Sequence, residues 1–144
     1  MARSYFDHNA TTPVSAEVMD ALLPCLAGVY GNASSIHHHG QAAKQAIEAA
    51  RREVAALLGC SEQDIVFTSG GTEAANLALL GVVRAHPGPS RHVITSTIEH
   101  PAVLNSCAQL EREGAAVTRL RVNGDGALDP DDVRRALRPE TVLV

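Results

Sequence analysis

Nowhere in these 144 residues does an apolar run approach the ~18–20 residues that a membrane-spanning helix requires. The N-terminus, Met1 to Asp7, lacks the apolar core of a signal peptide. Lys and Arg total only 12, mostly Arg and scattered, and the formal net charge is −4. That balance argues against a nucleic-acid surface, which gathers basic residues on one face. The three cysteines, Cys25, Cys60 and Cys107, are odd in number and widely spaced, with no Cys-x-x-Cys. Reduced, structural thiols are therefore expected. A hydrophobic content of 45% and a charged content of 19% describe an ordinary globular chain, long enough for one domain with a real core. The expected compartment is the cytoplasm.

The stretch from Phe67 to Asn76 organises what is present. Ile65, Val66 and Phe67 read as a short buried strand. The chain then turns at Ser69-Gly70-Gly71-Thr72, and an Ala/Leu-rich segment from Glu73 to Val83 reads as a helix. Strand, glycine turn and helix N-terminus together form an anion cradle, because free N–H groups and the positive end of the helix dipole converge. The expected anion is a phosphate group, with the Thr72 hydroxyl as an extra donor. The plainer alternative is that the turn only caps a helix, with Thr72 as N-cap. No Lys follows the glycines, so this is not a P-loop, and no Gly-x-Gly-x-x-Gly is present at this turn.

Before that stretch, a helix is expected from after Ser15 to about Leu26, with Leu22, Leu23 and Leu26 on its apolar face. Cys25 lies beside that face and reads as a small core residue. Gly28 to Gly40 reads as a loop containing His37-His38-His39. Consecutive side chains do not converge on one ion, so metal binding is not expected there. Gln41 to Leu58 reads as a long helix that stops at Gly59.

Downstream, Arg91–Thr95 and Ala116–Val122 read as strands, and Thr141–Val144 begins another. The intervening helices span Pro101–Glu113 and a short piece from Asp129 to Leu137, with Asp129 as N-cap. Alternating strands and helices predict a parallel α/β sheet whose ligand sits at the strands' carboxyl ends. His100 follows the second strand and falls on that edge, near the glycine turn. Its plainer alternative is a solvated or capping histidine. Val142-Leu143-Val144 is an apolar run without a closing turn, which leads to the expectation that the sequence is the N-terminal part of something longer.

Four stretches now add up to a resemblance. They are Tyr5-Phe6-Asp7-His8-Asn9-Ala10-Thr11-Thr12-Pro13, Gly31-Asn32-Ala33-Ser34-Ser35-x-His37-x-x-Gly40, Phe67-Thr68-Ser69-Gly70-Gly71-Thr72-Glu73-x-x-Asn76-Leu77 and Thr97-x-Glu99-His100-x-Ala102-Val103-Leu104. In this order they resemble the successive motifs of cysteine desulfurases, enzymes of the class V aminotransferase group that use pyridoxal 5′-phosphate. His8 stands where that family usually has Asn, and Ala33 where it usually has Pro.

The resemblance implies an α/β architecture of PLP-dependent transferase fold type I. In it, residues 1–15 would belong to the small-domain and active-site region, and residues 16–144 to the first part of the large, cofactor-binding domain. Gly71 and Thr72 match the positions that bind the cofactor phosphate, and His100 matches the histidine that stacks on the ring and moves protons. L-cysteine would be the substrate, L-alanine and a protein persulfide the products, and sulfur-acceptor proteins such as iron–sulfur scaffolds the partners. A homodimer is implied. The family's Schiff-base lysine and persulfide cysteine match nothing here: Lys44 is the only lysine, and Cys25, Cys60 and Cys107 fall elsewhere, so these 144 residues alone are expected to be inactive. Two other readings stay open. One is a sibling class V enzyme, such as a selenocysteine lyase or aminotransferase. The other is a non-catalytic α/β module that binds a phosphate ligand or a partner.

Overall fold

Ser15 begins the first regular element by accepting the Val18 N–H on its hydroxyl at 3.4 Å. The computed structural model describes residues 3–144. Two compact units divide the chain, Met1–Val66 and Phe67–Val144.

The first unit contains α1 (Ala16–Ala27), α2 (His38–Leu58) and a 3₁₀ turn (Glu62–Asp64). Helix α1 has no buried residue. Leu22, Leu23 and Leu26 are exposed, and so is Cys25. The expected core role of Cys25 is therefore wrong. Helical spacing identifies an apolar face, but burial needs a second surface laid against it. Cys60 is exposed as well, so only Cys107 is a structural thiol.

Helix α2 begins three residues earlier than its apolar pattern suggested. His37 is its N-cap, with Nδ1 accepting the Gly40 N–H at 3.3 Å. The side chain thus supplies one of the helix start's missing acceptors. The two glycines of the 31–40 motif are steric requirements. A Cβ on Gly31 would collide with the His39 carbonyl, and one on Gly40 with the Ser35 carbonyl. His39 stacks on Tyr30 with ring centroids 5.4 Å apart. At the other end Gly59 adopts φ +68°, the left-handed stop expected of it.

The second unit contains α3 (Gly71–Ala85), β1 (His92–Ser96), α4 (Pro101–Arg112), β2 (Ala116–Leu120), α5 (Pro130–Ala136) and β3 (Thr141–Leu143). The strands form one parallel sheet in the order β2-β1-β3. β1 is central, and His92, Val93 and Ile94 are all buried. Val83 of α3 and Cys107 and Leu110 of α4 complete the core against Val93. Burial pushes the Cys107 thiol above its ordinary range. His92 ties the three strands together, one ring nitrogen meeting Thr141 Oγ1 and the other Thr118 Oγ1, each at 2.8 Å.

Ile65–Phe67 is not a strand, contrary to its composition. Ile65 does have extended backbone (φ −90°, ψ 124°), and Val66 is 65% exposed. β-branched residues favour extended dihedrals, but a strand also needs a ladder. The ladders here join β1 to β2 and β1 to β3. Among the described residues, no helix is long and apolar enough to cross a membrane.

Candidate functional site

The glycine turn opens directly into α3, which begins at Gly71 rather than Glu73. Gly70 is the N-cap and makes no side-chain cap bond, so Thr72 is not the cap that the plainer reading made it. Thr72 is instead the second helical residue, and its N–H has no acceptor four residues back. Glu73, inside the first turn, reaches back to the residue before the cap. Its Oε2 accepts the Ser69 N–H at 2.7 Å and the Ser69 hydroxyl at 2.6 Å. Those two bonds hold the Glu73 carboxyl below its usual pKa. They also fold its charge back onto Ser69, leaving the Gly71 and Thr72 amides to the helix start. An added Cβ at Gly70 or Gly71 would meet nothing within 4 Å, so the backbone there is open to an approaching group. A 15-residue helix adds the positive end of its dipole.

His100 stands at the start of α4, on the loop that leaves the carboxyl end of β1. Its Nδ1 accepts the Ala102 N–H at 3.1 Å, so it is the helix N-cap, as its plainer reading supposed. The ring is also exposed. A backbone N–H can only donate, so Nδ1 carries no proton in this arrangement. The neutral ring then bears its proton on Nε2. Capping fixes the tautomer and leaves the Nε2–H exposed as a hydrogen-bond donor.

Residues outside the expected set link these two helix starts. Asn76 Nδ2 donates to the Thr72 carbonyl at 2.8 Å, and Asn76 Oδ1 accepts from the Ser106 hydroxyl at 2.9 Å. The same hydroxyl reaches the Ala102 carbonyl at 2.7 Å. Asn76 lies in a motif that carried the resemblance, but nothing in the sequence signals its pairing with Ser106, 30 residues away. A cavity of about 340 Å³ opens nearby, lined by Ala78, Leu79, Ile94, Thr95, Val103 and Leu143 among others. None of Gly71, Thr72 and His100 lines it. Its mostly apolar wall suits no phosphate.

These residues fit one end of pyridoxal 5′-phosphate. Unsatisfied amides, a hydroxyl and open space at Gly70–Thr72 suit the phosphate, and an exposed imidazole suits a ring face. No lysine occurs in Phe67–Val144. Lys44 is an exposed residue of α2 in the other unit.

A parallel α/β unit with a glycine-started helix at the sheet's carboxyl edge is the architecture of fold type I of the PLP-dependent transferases, and solved chains share it. A NifS-like protein superimposes with a TM-score of 0.90 at 35% identity, over 97% of this chain and 38% of that one. SspA, solved in complex with cysteine, gives 0.88 at 38% identity, over 96% and 40%. The chain belongs to the aminotransferase class-V family, whose model matches residues 4–144. A putative cysteine desulfurase IscS 1 of Bacillus subtilis is 44% identical over 144 residues, all of this chain and 38% of that protein. A cysteine desulfurase of Trichormus azollae is 50% identical over the same span, 36% of its length. The chain thus spans little more than a third of these relatives.

Proposed function

We propose that this chain supplies the phosphate cradle and the ring-facing histidine of a PLP-dependent cysteine desulfurase. The observation that carries the reading is the pairing of the open Gly71–Thr72 helix start with an exposed, tautomer-fixed His100 on the adjacent helix. Support comes from relatives named cysteine desulfurases that match the chain end to end. The substrate would be L-cysteine, and the products L-alanine and a persulfide passed to acceptors such as iron–sulfur scaffolds. A cytoplasmic homodimer is part of the same reading. So is the assignment of residues 1–15 to the small-domain region and 16–144 to the cofactor-binding large domain.

In this scheme the Gly71 and Thr72 amides and the Thr72 hydroxyl hold the phosphate through charge-assisted hydrogen bonds. Bound there, the cofactor supplies an electron sink for bond changes at the substrate. His100 would cover the ring, and would exchange protons through its imidazole once Nδ1 lets go of the Ala102 N–H that it accepts in this structure. Glu73 keeps its charge on Ser69, which limits its repulsion of an incoming phosphate.

The test is to purify the protein from its own gene, then measure bound pyridoxal phosphate and the alanine released from cysteine. The expected result is about one cofactor per chain, on the scale of one site, and alanine formation. Absence of both would overturn the proposal. Given pyridoxal phosphate and borohydride, the 144-residue chain should leave Lys44 essentially unlabelled. A stoichiometric label at Lys44, sensitive to cysteine, would reassign the anchoring amine.

A further inference from the structure

Ser106 is almost fully buried, at 2% exposure, and carries a hydroxyl. A buried hydroxyl must find partners, and this one has two acceptors. One is Asn76 Oδ1 on α3, and the other is the Ala102 carbonyl of its own helix. The Asn76 amide cannot be turned around at no cost. Its Nδ2 faces the Thr72 carbonyl, and a flip would set oxygen against oxygen. Oδ1 therefore faces Ser106 as an acceptor, and the single Ser106 hydrogen is shared between Asn76 Oδ1 and the Ala102 carbonyl.

The bridge lies one turn behind both helix starts. Asn76 is four residues beyond Thr72, and Ser106 four residues beyond Ala102. Ala102 in turn gives its N–H to His100 Nδ1. A continuous path runs from the Thr72 carbonyl through the Asn76 amide, the Ser106 hydroxyl and Ala102 to the His100 ring. A buried directional bond adds a register constraint to that of apolar ridge-and-groove packing.

We propose that Ser106, acting with Asn76, is a positioning residue. It sets the spacing between the phosphate cradle at Gly71–Thr72 and the imidazole of His100. The inference rests on the cofactor reading above. It gives Ser106 and Asn76 unequal roles. Asn76 touches the Thr72 carbonyl and supports the cradle. Ser106 joins that support to the His100 helix. Losing Asn76 should loosen the cradle, while the Ser106 hydroxyl turns wholly to Ala102. Either loss breaks the bridge, and losing Ser106 also removes the hydroxyl from the Ala102 carbonyl.

The experiment uses the protein purified from its own gene, unmutated and as Ser106→Ala, Asn76→Ala and the double variant. Pyridoxal phosphate affinity, the circular dichroism of the bound cofactor at saturation, the His100 ring nitrogen signals and the melting temperature are measured on each. Both single variants should bind the cofactor about 3- to 10-fold more weakly, as expected for one neutral hydrogen bond, and the double variant no more weakly than the worse single. At saturation, Ser106→Ala should alter the cofactor's dichroism and the His100 signals, and Asn76→Ala should leave the His100 signals in place. A lowered melting temperature with unchanged affinity, dichroism and ring signals would reduce Ser106 to a packing contact and overturn the proposal. If Ser106→Ala does not fold, an Asn76→Ala protein with unmutated affinity overturns it equally. An unmutated protein that binds no cofactor refutes the functional reading itself, and the inference falls with it. Normal binding in the unmutated protein with no change in any variant refutes only the inference.

Discussion

The unit ending at Val66 and the unit beginning at Phe67 use the same capping device and differ in almost everything beneath it. His37 caps α2 through Nδ1 and Gly40, and His100 caps α4 through Nδ1 and Ala102. In the first unit the helix behind the cap buries only Gly40, Ala43 and Ala55, and α1 buries nothing. In the second, the capped helix buries Ser106, Cys107 and Leu110 against a parallel sheet. One local device therefore serves two purposes. At His37 it starts a helix. At His100 it also fixes a tautomer at the edge where α/β sheets place their ligands.

The sharpest way to separate the two caps is to change them alike. His100→Gln should keep most bound cofactor yet lose alanine formation by roughly 10²–10⁴-fold, the range for a general acid–base. His37→Gln should cost helix stability, about 0.5–2 kcal/mol as for a lost cap. Turnover at the unmutated rate in His100→Gln, with normal cofactor content, would leave the two histidines equivalent as caps.

The contrast in burial makes the next prediction. Leu110 is 1% exposed and Leu23 is 51% exposed. Leu110→Ala should destabilise the second unit by about 2–5 kcal/mol, by lost transfer and a cavity. Leu23→Ala should stay within about 0.5 kcal/mol, as surface changes do. Denaturant titration of both variants reads the difference, and a large loss from Leu23→Ala would reveal a surface covering α1. Thr72→Ala should weaken cofactor retention by about 10- to 100-fold, from one charge-assisted hydrogen bond of roughly 1.5–3 kcal/mol. Equilibrium dialysis of the cofactor measures it.

Two smaller effects depend on pH. Burial, with Arg138 nearby, pushes His92 below its ordinary value of 6.5, while Glu140 pulls the other way. The folded state thus prefers the neutral ring, and stability is lost as pH falls below 6.5 toward the depressed folded value. Denaturation midpoints taken across that range should decline, and the slope should vanish in His92→Gln. The smallest effect belongs to Glu113, whose carboxyl is held at about 2 by Arg84 and Gln109. Its contribution is present above its ordinary 4.5 and disappears as pH falls toward 2. The pair is exposed, so salt near 1 M, where screening reaches about 3 Å, should abolish most of it.

Much of this molecule was legible from short stretches. Ser15, Asp129 and Gly59 mark helix ends by their own side chains or backbone freedom, and all three act where expected. The parallel sheet followed from the alternation of apolar runs and helices. The errors share a cause. Cys25 and Ile65–Phe67 were placed by composition, which expresses a preference for burial or extension. Neither preference supplies the surface or the ladder that would realise it.

From the sequence alone, with the starts of α2 and α3 read two to three residues late, came the starts of α1, α4 and α5, the stop of α2 at Gly59, the class V motifs and the positions of Gly71, Thr72 and His100 along the chain. Those depend on interactions within a few residues, where spacing and geometry are nearly the same thing. Only the tertiary structure decided that Ser106 meets Asn76, that His92 joins Thr118 to Thr141, and that Leu110 is core while Leu23 is surface. Such pairings join residues tens of positions apart. They form only when packing of helices on the sheet offsets the entropy of closing the loops between them.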